Sequence, residues 1–178
     1  LDTLLEALQK ISVEHRPQTH ICYIRPQGMQ LPLCHAPIKL AKIHWFEQPT
    51  SLDQIRANAN IFISTSKHEP FGLSILEAMA AGQCVVIPAD GAYWDQVLEN
   101  NVNCIKYQPQ SVDDLKHKIV MLSKQLGLVA QLGAQAANIA LNYRANNQYK
   151  NIVTSLLEPI KKEAKKVSQG VHYDQNVS

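Results

Sequence analysis

The chain has 178 residues and a formal net charge of +2, with 46% apolar and 18% charged residues. That length and apolar content suffice for one globular core without disulfide staples, and they exclude an intrinsically disordered chain. The near-neutral charge argues against nucleic acid or a membrane surface as partner, and no run approaches the ~20 apolar residues of a transmembrane span.

Leu4, Leu5, Leu8 and Ile11 recur at helical spacing, so the chain opens in a helix. It does so at Leu1, with no methionine and no basic segment leading into an apolar one, which reads as a fragment boundary without a secretory signal. Residues 19–24 form a short β-rich run stopped by Pro26 and Gly28, and residues 26–37, with Pro26, Pro32 and Pro37, read as a loop. Partial alternation over residues 38–46 predicts a second strand. Ser51-Leu52-Asp53 then starts a helix with Leu52, Ile55 and Ala59 on one face. A third strand is expected at 61–65, a helix at 72–81 closed by Gly82, and a fourth strand at 84–88. Residues 93–99 suggest a short helix and 103–107 a fifth strand. Ser111, followed by Asp113 and Asp114, caps a long helical stretch interrupted near Gly127 and Asn142.

Strands alternating with helices at these intervals imply βαβ units, hence an α/β fold with a parallel sheet covered by helices on both faces. Such a sheet binds ligands beyond the carboxyl ends of its strands. The expected domain spans residues 1–160, with 161–178 a charged and polar tail that frays. Of the four cysteines, Cys22, Cys84 and Cys104 sit in apolar runs and are expected as buried, reduced thiols. Cys34 is next to His35 without ligand spacing, and the other histidines are scattered, so no metal site is expected and the reducing cytoplasm is the expected compartment.

The informative stretch is Ser64-Thr65-Ser66-Lys67-His68-Glu69-Pro70-Phe71-Gly72-Leu73-Ser74-Ile75-Leu76-Glu77-Ala78-Met79-Ala80-Ala81-Gly82. It predicts a strand, a polar turn and a helix opening near Gly72. The amides of Leu73, Ser74 and Ile75 would then lack intrahelical partners and, with the positive end of the helix dipole, offer a site for a phosphate or diphosphate. Gly72 lets a ligand approach the backbone. Glu69 in the turn and Glu77 in the helix bracket this place. Glu77, between Leu76, Ala78 and Met79, would be partly buried and suited to ribose hydroxyls. Taken singly, each acid also has an ordinary reading: Glu69 favouring a helix start, Glu77 a half-exposed helix residue.

The run Glu69-Pro70-Phe71-Gly72-Leu73-Ser74-Ile75-Leu76-Glu77-Ala78-Met79-Ala80-Ala81-Gly82-Gln83-Cys84-Val85-Val86 resembles the glutamate, seven residues, glutamate signature of retaining GT-B glycosyltransferases, family four or group 1 type. The resemblance implies the Rossmann-like, donor-binding C-terminal half of a GT-B fold, its first strand and its acceptor-binding N-terminal domain lying outside this chain. It implies transfer of a hexose from a UDP- or GDP-sugar to an acceptor held by that other domain, with no cofactor and no metal. Glu69 would contact the donor sugar as the catalytic residue, while Phe71, Gly72, Leu73 and Ser74 hold sugar and diphosphate. Glu77 would bind the ribose, with Ser66 and Lys67 as accessory residues. The diphosphate-gripping Arg and Lys of the family would precede Leu1. Cys84 stands where the family has proline, and Gln96 where it commonly has glutamate. Two other classes share the pattern: a GT-B-fold nucleotide-sugar epimerase or phosphorylase, and a degenerate binding module that has lost catalysis.

Overall fold

The computed structural model describes residues 1–24, 37–148 and 154–155. The chain divides into two compact units, Leu1–Ala140 and Leu141–Ser178. Residues 26–36 of the loop expected at 26–37, with Cys34 and His35, and the expected tail lie outside the described residues.

Helix α1 (Asp2–Gln9) buries Leu4, Leu5, Ala7 and Leu8. Its last turn is closed by a residue further along the chain. Arg16, 5% exposed, donates from Nε to the Leu8 carbonyl at 2.8 Å, from Nη2 to that of Ile11 at 2.8 Å and from Nη1 to that of Ala41 at 3.0 Å. A buried cation is tolerated here because three carbonyls replace its water.

Strand β1 (Thr19–Tyr23) pairs in parallel with β2 (Ile43–Glu47), in a register running from Thr19↔Ile43 to Tyr23↔Glu47. β2 starts five residues later than its alternation suggests. Lys42 turns the chain at φ 65°, and Ile38 and Leu40 reach the core from the loop before it. Period-2 burial therefore extends beyond the hydrogen-bonded strand. Cys22 corrects another expectation: it is exposed, because its neighbour Ile21 takes the buried face of β1. Cys84 and Cys104 are buried as expected, and burial pushes both thiols up to about 12.

Helix α2 (Leu52–Ala57) leads to β3 (Ile61–Ile63), α3 (Leu73–Ala80), β4 (Cys84–Pro88), α4 (Tyr93–Val97) and β5 (Ile105–Tyr107). β4 is central, paired in parallel with β3 and β5, and its Cys84, Val85, Val86 and Ile87 are all buried. The parallel strands expected as one sheet thus form two, β1–β2 and β3–β4–β5. Both contribute to a single apolar cluster, Ile21 and Ile43 joining Val86, Ile105, Leu115 and Leu132.

Helix α5 (Val112–Lys124) starts where expected, the Ser111 hydroxyl accepting from the Asp114 amide at 3.2 Å. It breaks at Gln125, whose φ of −122° and ψ of 61° are not helical, while Gly127 falls in the first turn of α6 (Leu126–Ala140). α1 packs on α5 and α3 on α6. The second unit, among its described residues, holds a 3-10 turn Leu141–Tyr143 and a helix α7 (Ala145–Gln148), in line with the interruption near Asn142. No helix among the described residues is long and apolar enough to cross a membrane.

Gly133 in α6 is the closest approach in this packing: a Cβ there would lie 2.1 Å from the Gly82 carbonyl oxygen and 3.3 Å from the Cys84 nitrogen. In an exposed helix Gly133→Ala would gain about 1 kcal/mol of propensity. Here the backbone contact reverses the sign, and we expect a net loss of about 1–3 kcal/mol, read as a lower urea midpoint at unchanged slope.

Candidate functional site

The site is built where β3 and β4 end. After Ile63 the chain runs through Ser64, whose carbonyl accepts from the buried Tyr107 hydroxyl at 3.1 Å, into the polar turn and on to Gly72. Gly72 is the N-cap of α3 at φ 71° and ψ 73°, a left-handed conformation that glycine adopts without a Cβ penalty. There is also no room for a side chain: a Cβ would sit 2.8 Å from Glu69 Cγ, 3.1 Å from Ile75 Cδ1 and 3.5 Å from Trp94 Cδ1. The Gly72 carbonyl accepts from the Ile75 and Leu76 amides at 3.0 and 3.3 Å and from Trp94 Nε1 at 3.3 Å. Of the amides expected to be bare, that of Ile75 is therefore used within the helix, and those of Leu73 and Ser74 make no hydrogen bond among the described residues. Both residues are exposed.

Glu69 and Ser66 line a small, shallow hollow with Ser64, Asp90, Trp94 and Asp95. Asp95 escapes a reading of the sequence, where nothing distinguishes it from a surface acid, and Asp90 stands out only within Ala89-Asp90-Gly91, a run that follows the layout of the resembled family. Asp90 is satisfied by the amides of His68 at 2.7 Å and Ala92 at 3.1 Å. Asp95 accepts from the Gly91 amide at 2.8 Å and lies 2.8 Å from Lys106 Nζ. Burial alone would push its carboxyl up, but the Lys106 ammonium and the Gly91 amide together hold it below the usual carboxylate range. Gln96, in the position singled out by the resemblance, donates instead to the Gly91 carbonyl. Glu69 makes no hydrogen bond or ion pair among the described residues. The hollow is thus walled by one acid paired with a cation, one held by backbone amides and one whose acceptors stay available, which suits hydroxyl groups better than phosphates.

A second shallow hollow shares Ser66 and Asp90 with the first and adds Thr65, Lys67, His68 and Gln110. Lys67 is exposed and stands here rather than beside Glu69. Phe71 lines neither hollow; its ring packs on Tyr93 and Trp94 with centroids 5.1 and 5.3 Å apart, and so braces the turn. Glu77 is also outside both. Its side chain is half-exposed, it shares the open face of α3 with Leu73 and Ser74, and it is ion-paired with Arg56 of α2. Among the described residues no group of three histidine, cysteine, aspartate or glutamate side chains could hold a metal ion.

The family described as glycosyl transferases group 1 matches residues 1–139. The chain is 28% identical over 122 residues to an uncharacterized glycosyltransferase of Methanocaldococcus jannaschii, covering 65% of this chain and 30% of that protein. It is 28% identical over 104 residues to the N,N'-diacetylbacillosaminyl-diphospho-undecaprenol alpha-1,3-N-acetylgalactosaminyltransferase of Campylobacter jejuni, covering 58% of this chain and 27% of the other. Among solved structures it is similar to Anabaena HepE, crystallised with UDP and with UDP-glucose, at 25% identity and a TM-score of 0.54 over 65% of this chain and 33% of that one. The chain spans under a third of the length of the curated relatives it matches.

Two outcomes are expected at this site. Gly72→Ala places a methyl group against Glu69 in a left-handed conformation and should cost about 1–3 kcal/mol, measured by thermal melting. Lys106→Met leaves Asp95 without its cation and should cost about 1.5–3 kcal/mol at pH 7. Because the folded-state pKa of Asp95 is lowered, the contribution is complete above the unfolded value and is lost as pH falls through the folded one. The gap between Lys106→Met and wild type should therefore narrow below about pH 4 in denaturation curves.

Proposed function

The chain belongs to the glycosyl transferases group 1, and from that premise we propose that it is the donor-binding half of a retaining hexosyltransferase using a UDP- or GDP-hexose. The observation that carries the reading is the open start of α3: the Leu73 and Ser74 amides lack partners among the described residues, on a helix whose cap sits against Glu69. UDP stands ahead of GDP because HepE, similar over this region, was crystallised with UDP and UDP-glucose. The acceptor, and the domain holding it, belong to the part of the protein outside this chain.

In this reading the diphosphate rests on the Leu73 and Ser74 amides and the positive end of the α3 dipole, which take the place of a divalent cation as counter-charge. Gly72 and the Phe71 backbone shape the turn, and the hexose rests over the mouth of the hollow with its hydroxyls toward Glu69. Ser66 and Lys67 stand at the rim. Glu77 takes the ribose hydroxyls. The bond from the sugar's anomeric carbon to the diphosphate oxygen breaks, and the acceptor hydroxyl adds on the same face while passing its proton to the departing diphosphate. The protein contributes positioning and stabilisation of the charge that grows on the diphosphate. An exposed free thiol at Cys22 fits a reducing, cytoplasmic setting.

Calorimetry of this chain with UDP, GDP and ADP tests the reading. UDP or GDP should bind, and Glu77→Ala should weaken the better ligand by about tenfold or more, the worth of a hydrogen bond to a charged group. Binding of none of them, or full affinity in the Glu77→Ala chain, would overturn it. In the full-length enzyme Glu69→Ala should lower kcat by about a hundredfold or more while nucleotide affinity changes little.

A further inference from the structure

Arg56 is the residue that neither the motif nor the family resemblance marks. It lies in α2, 21 positions before Glu77, and its guanidinium spans two acids: Nη1 reaches Asp53 Oδ1 at 2.8 Å and Nη2 meets Glu77 Oε2. The burial is lopsided. The Arg56 side chain is 16% exposed, that of Glu77 49% and that of Asp53 97%. Its backbone is pinned as well, since the buried Gln83 side chain donates from Nε2 to the Arg56 carbonyl at 2.9 Å and to that of Ala59 at 3.1 Å. A planar fork fixed at its root and shielded from water is thus aimed at one oxygen of an otherwise exposed carboxylate.

The pair ties α2 to α3, and it also constrains the half-exposed carboxylate of Glu77. A carboxylate offers about four acceptor positions. Arg56 occupies one on Oε2, and Glu77 makes no other side-chain hydrogen bond among the described residues, so acceptor positions stay available on a residue as exposed as Leu73 and Ser74 of the same helix. The cation also offsets the negative charge of Glu77 where the proposed ligand brings more. We infer that Arg56 is a positioning residue for the ribose: it presents Glu77 to the sugar's vicinal hydroxyls and thereby sets the preference for ribonucleotides over deoxyribonucleotides. The inference rests on the ribose role proposed above for Glu77. A lysine could supply the charge but not the two-pronged geometry.

The test is calorimetric titration of UDP and of 2′-deoxy-UDP into wild type, Arg56→Gln and Arg56→Lys, with GDP and 2′-deoxy-GDP in their place if GDP is the tighter ligand. Wild type should favour the ribonucleotide by about tenfold or more. Arg56→Gln should lose most of that ratio by weakening the ribonucleotide about tenfold while the deoxynucleotide shifts less than about twofold, with Arg56→Lys between the two. In a Glu77→Ala background Arg56→Gln should then have no further effect on either nucleotide, as for two residues acting through one contact. Arg56→Gln and Arg56→Lys chains that melt like wild type and keep its ratio overturn the inference while leaving the ribose role of Glu77 standing. A parallel loss of both nucleotides also overturns it, since Arg56 then serves only the fold. A wild-type chain that binds ribose and deoxyribose forms equally removes the role of Glu77, and the inference with it.

Discussion

The turn at Gly72 is the constraint on which the site depends. Between β3 and α3 the chain must reverse direction within a few residues, and it does so through a left-handed residue packed between Glu69, Ile75 and Trp94. A side chain at that position would press on Glu69, and any residue other than glycine would resist the backbone angle. The Trp94 indole fixes the Gly72 carbonyl from α4, so the start of α3 is tied to the end of β4 as well as to that of β3. Behind it, Ile75, Ala78 and Met79 are buried, and α6 presses Gly133 onto the Gly82 carbonyl at the far end of the helix. The two bare amides are therefore carried by an element held at both ends. Preorganised donors of this kind cost little to bring to a ligand.

The acids around the turn are sorted by their partners. Asp95 has Lys106, Asp90 has two amides, and Glu77 has Arg56, whereas Glu69 has none among the described residues. A row of unpaired carboxylates would repel a diphosphate. Lys106 and Arg56 offset the charge of Asp95 and Glu77, two amides hold Asp90, and Glu69 keeps its acceptors available, an arrangement that follows from which cation or amide each acid meets. Nothing in the spacing of the acids along the chain announces it. Asp95 and Lys106 are eleven residues apart on α4 and β5, and Arg56 and Glu77 are on helices separated by β3.

This marks the boundary of what the sequence carries. β4 is legible to the residue because Gly82 turns the chain before it and four consecutive apolar residues fill it. The capping serine of α5 is legible because its hydroxyl acts three residues away. β2 is misjudged because loop residues Ile38 and Leu40 also point into the core, so alternation reports burial and not pairing. The break before α6 falls at Gln125 rather than at the nearby glycine, since a glycine permits a bend without imposing one. Glu69 and Glu77 stand out only as parts of a family string, and their partners, Arg56 above all, become visible only when distant helices are brought together. Cys22 fails for the same reason: an apolar run leaves open which strand face meets the core.

The two-sheet arrangement gives these long-range contacts their weight. No hydrogen-bonded ladder among the described residues joins β1–β2 to β3–β4–β5, so the sheets are united by the shared apolar cluster, by α1 packed on α5, and by the crossing that contains α2. Apolar contact is nondirectional and sets the spacing of such layers better than their register. Directional ties add to this. Arg16 provides one, binding the end of α1 to the loop before β2 through three carbonyls. Arg56 provides another, binding α2, which leads out of the first sheet, to α3, which leads out of the second. Hollow, bare amides and Glu69 all belong to the three-stranded side. Glu77 alone among the proposed ligand contacts is tied to the crossing between the sheets, so its orientation depends on how that crossing is seated, and a nucleotide held there would bear on both parts of the sheet at once.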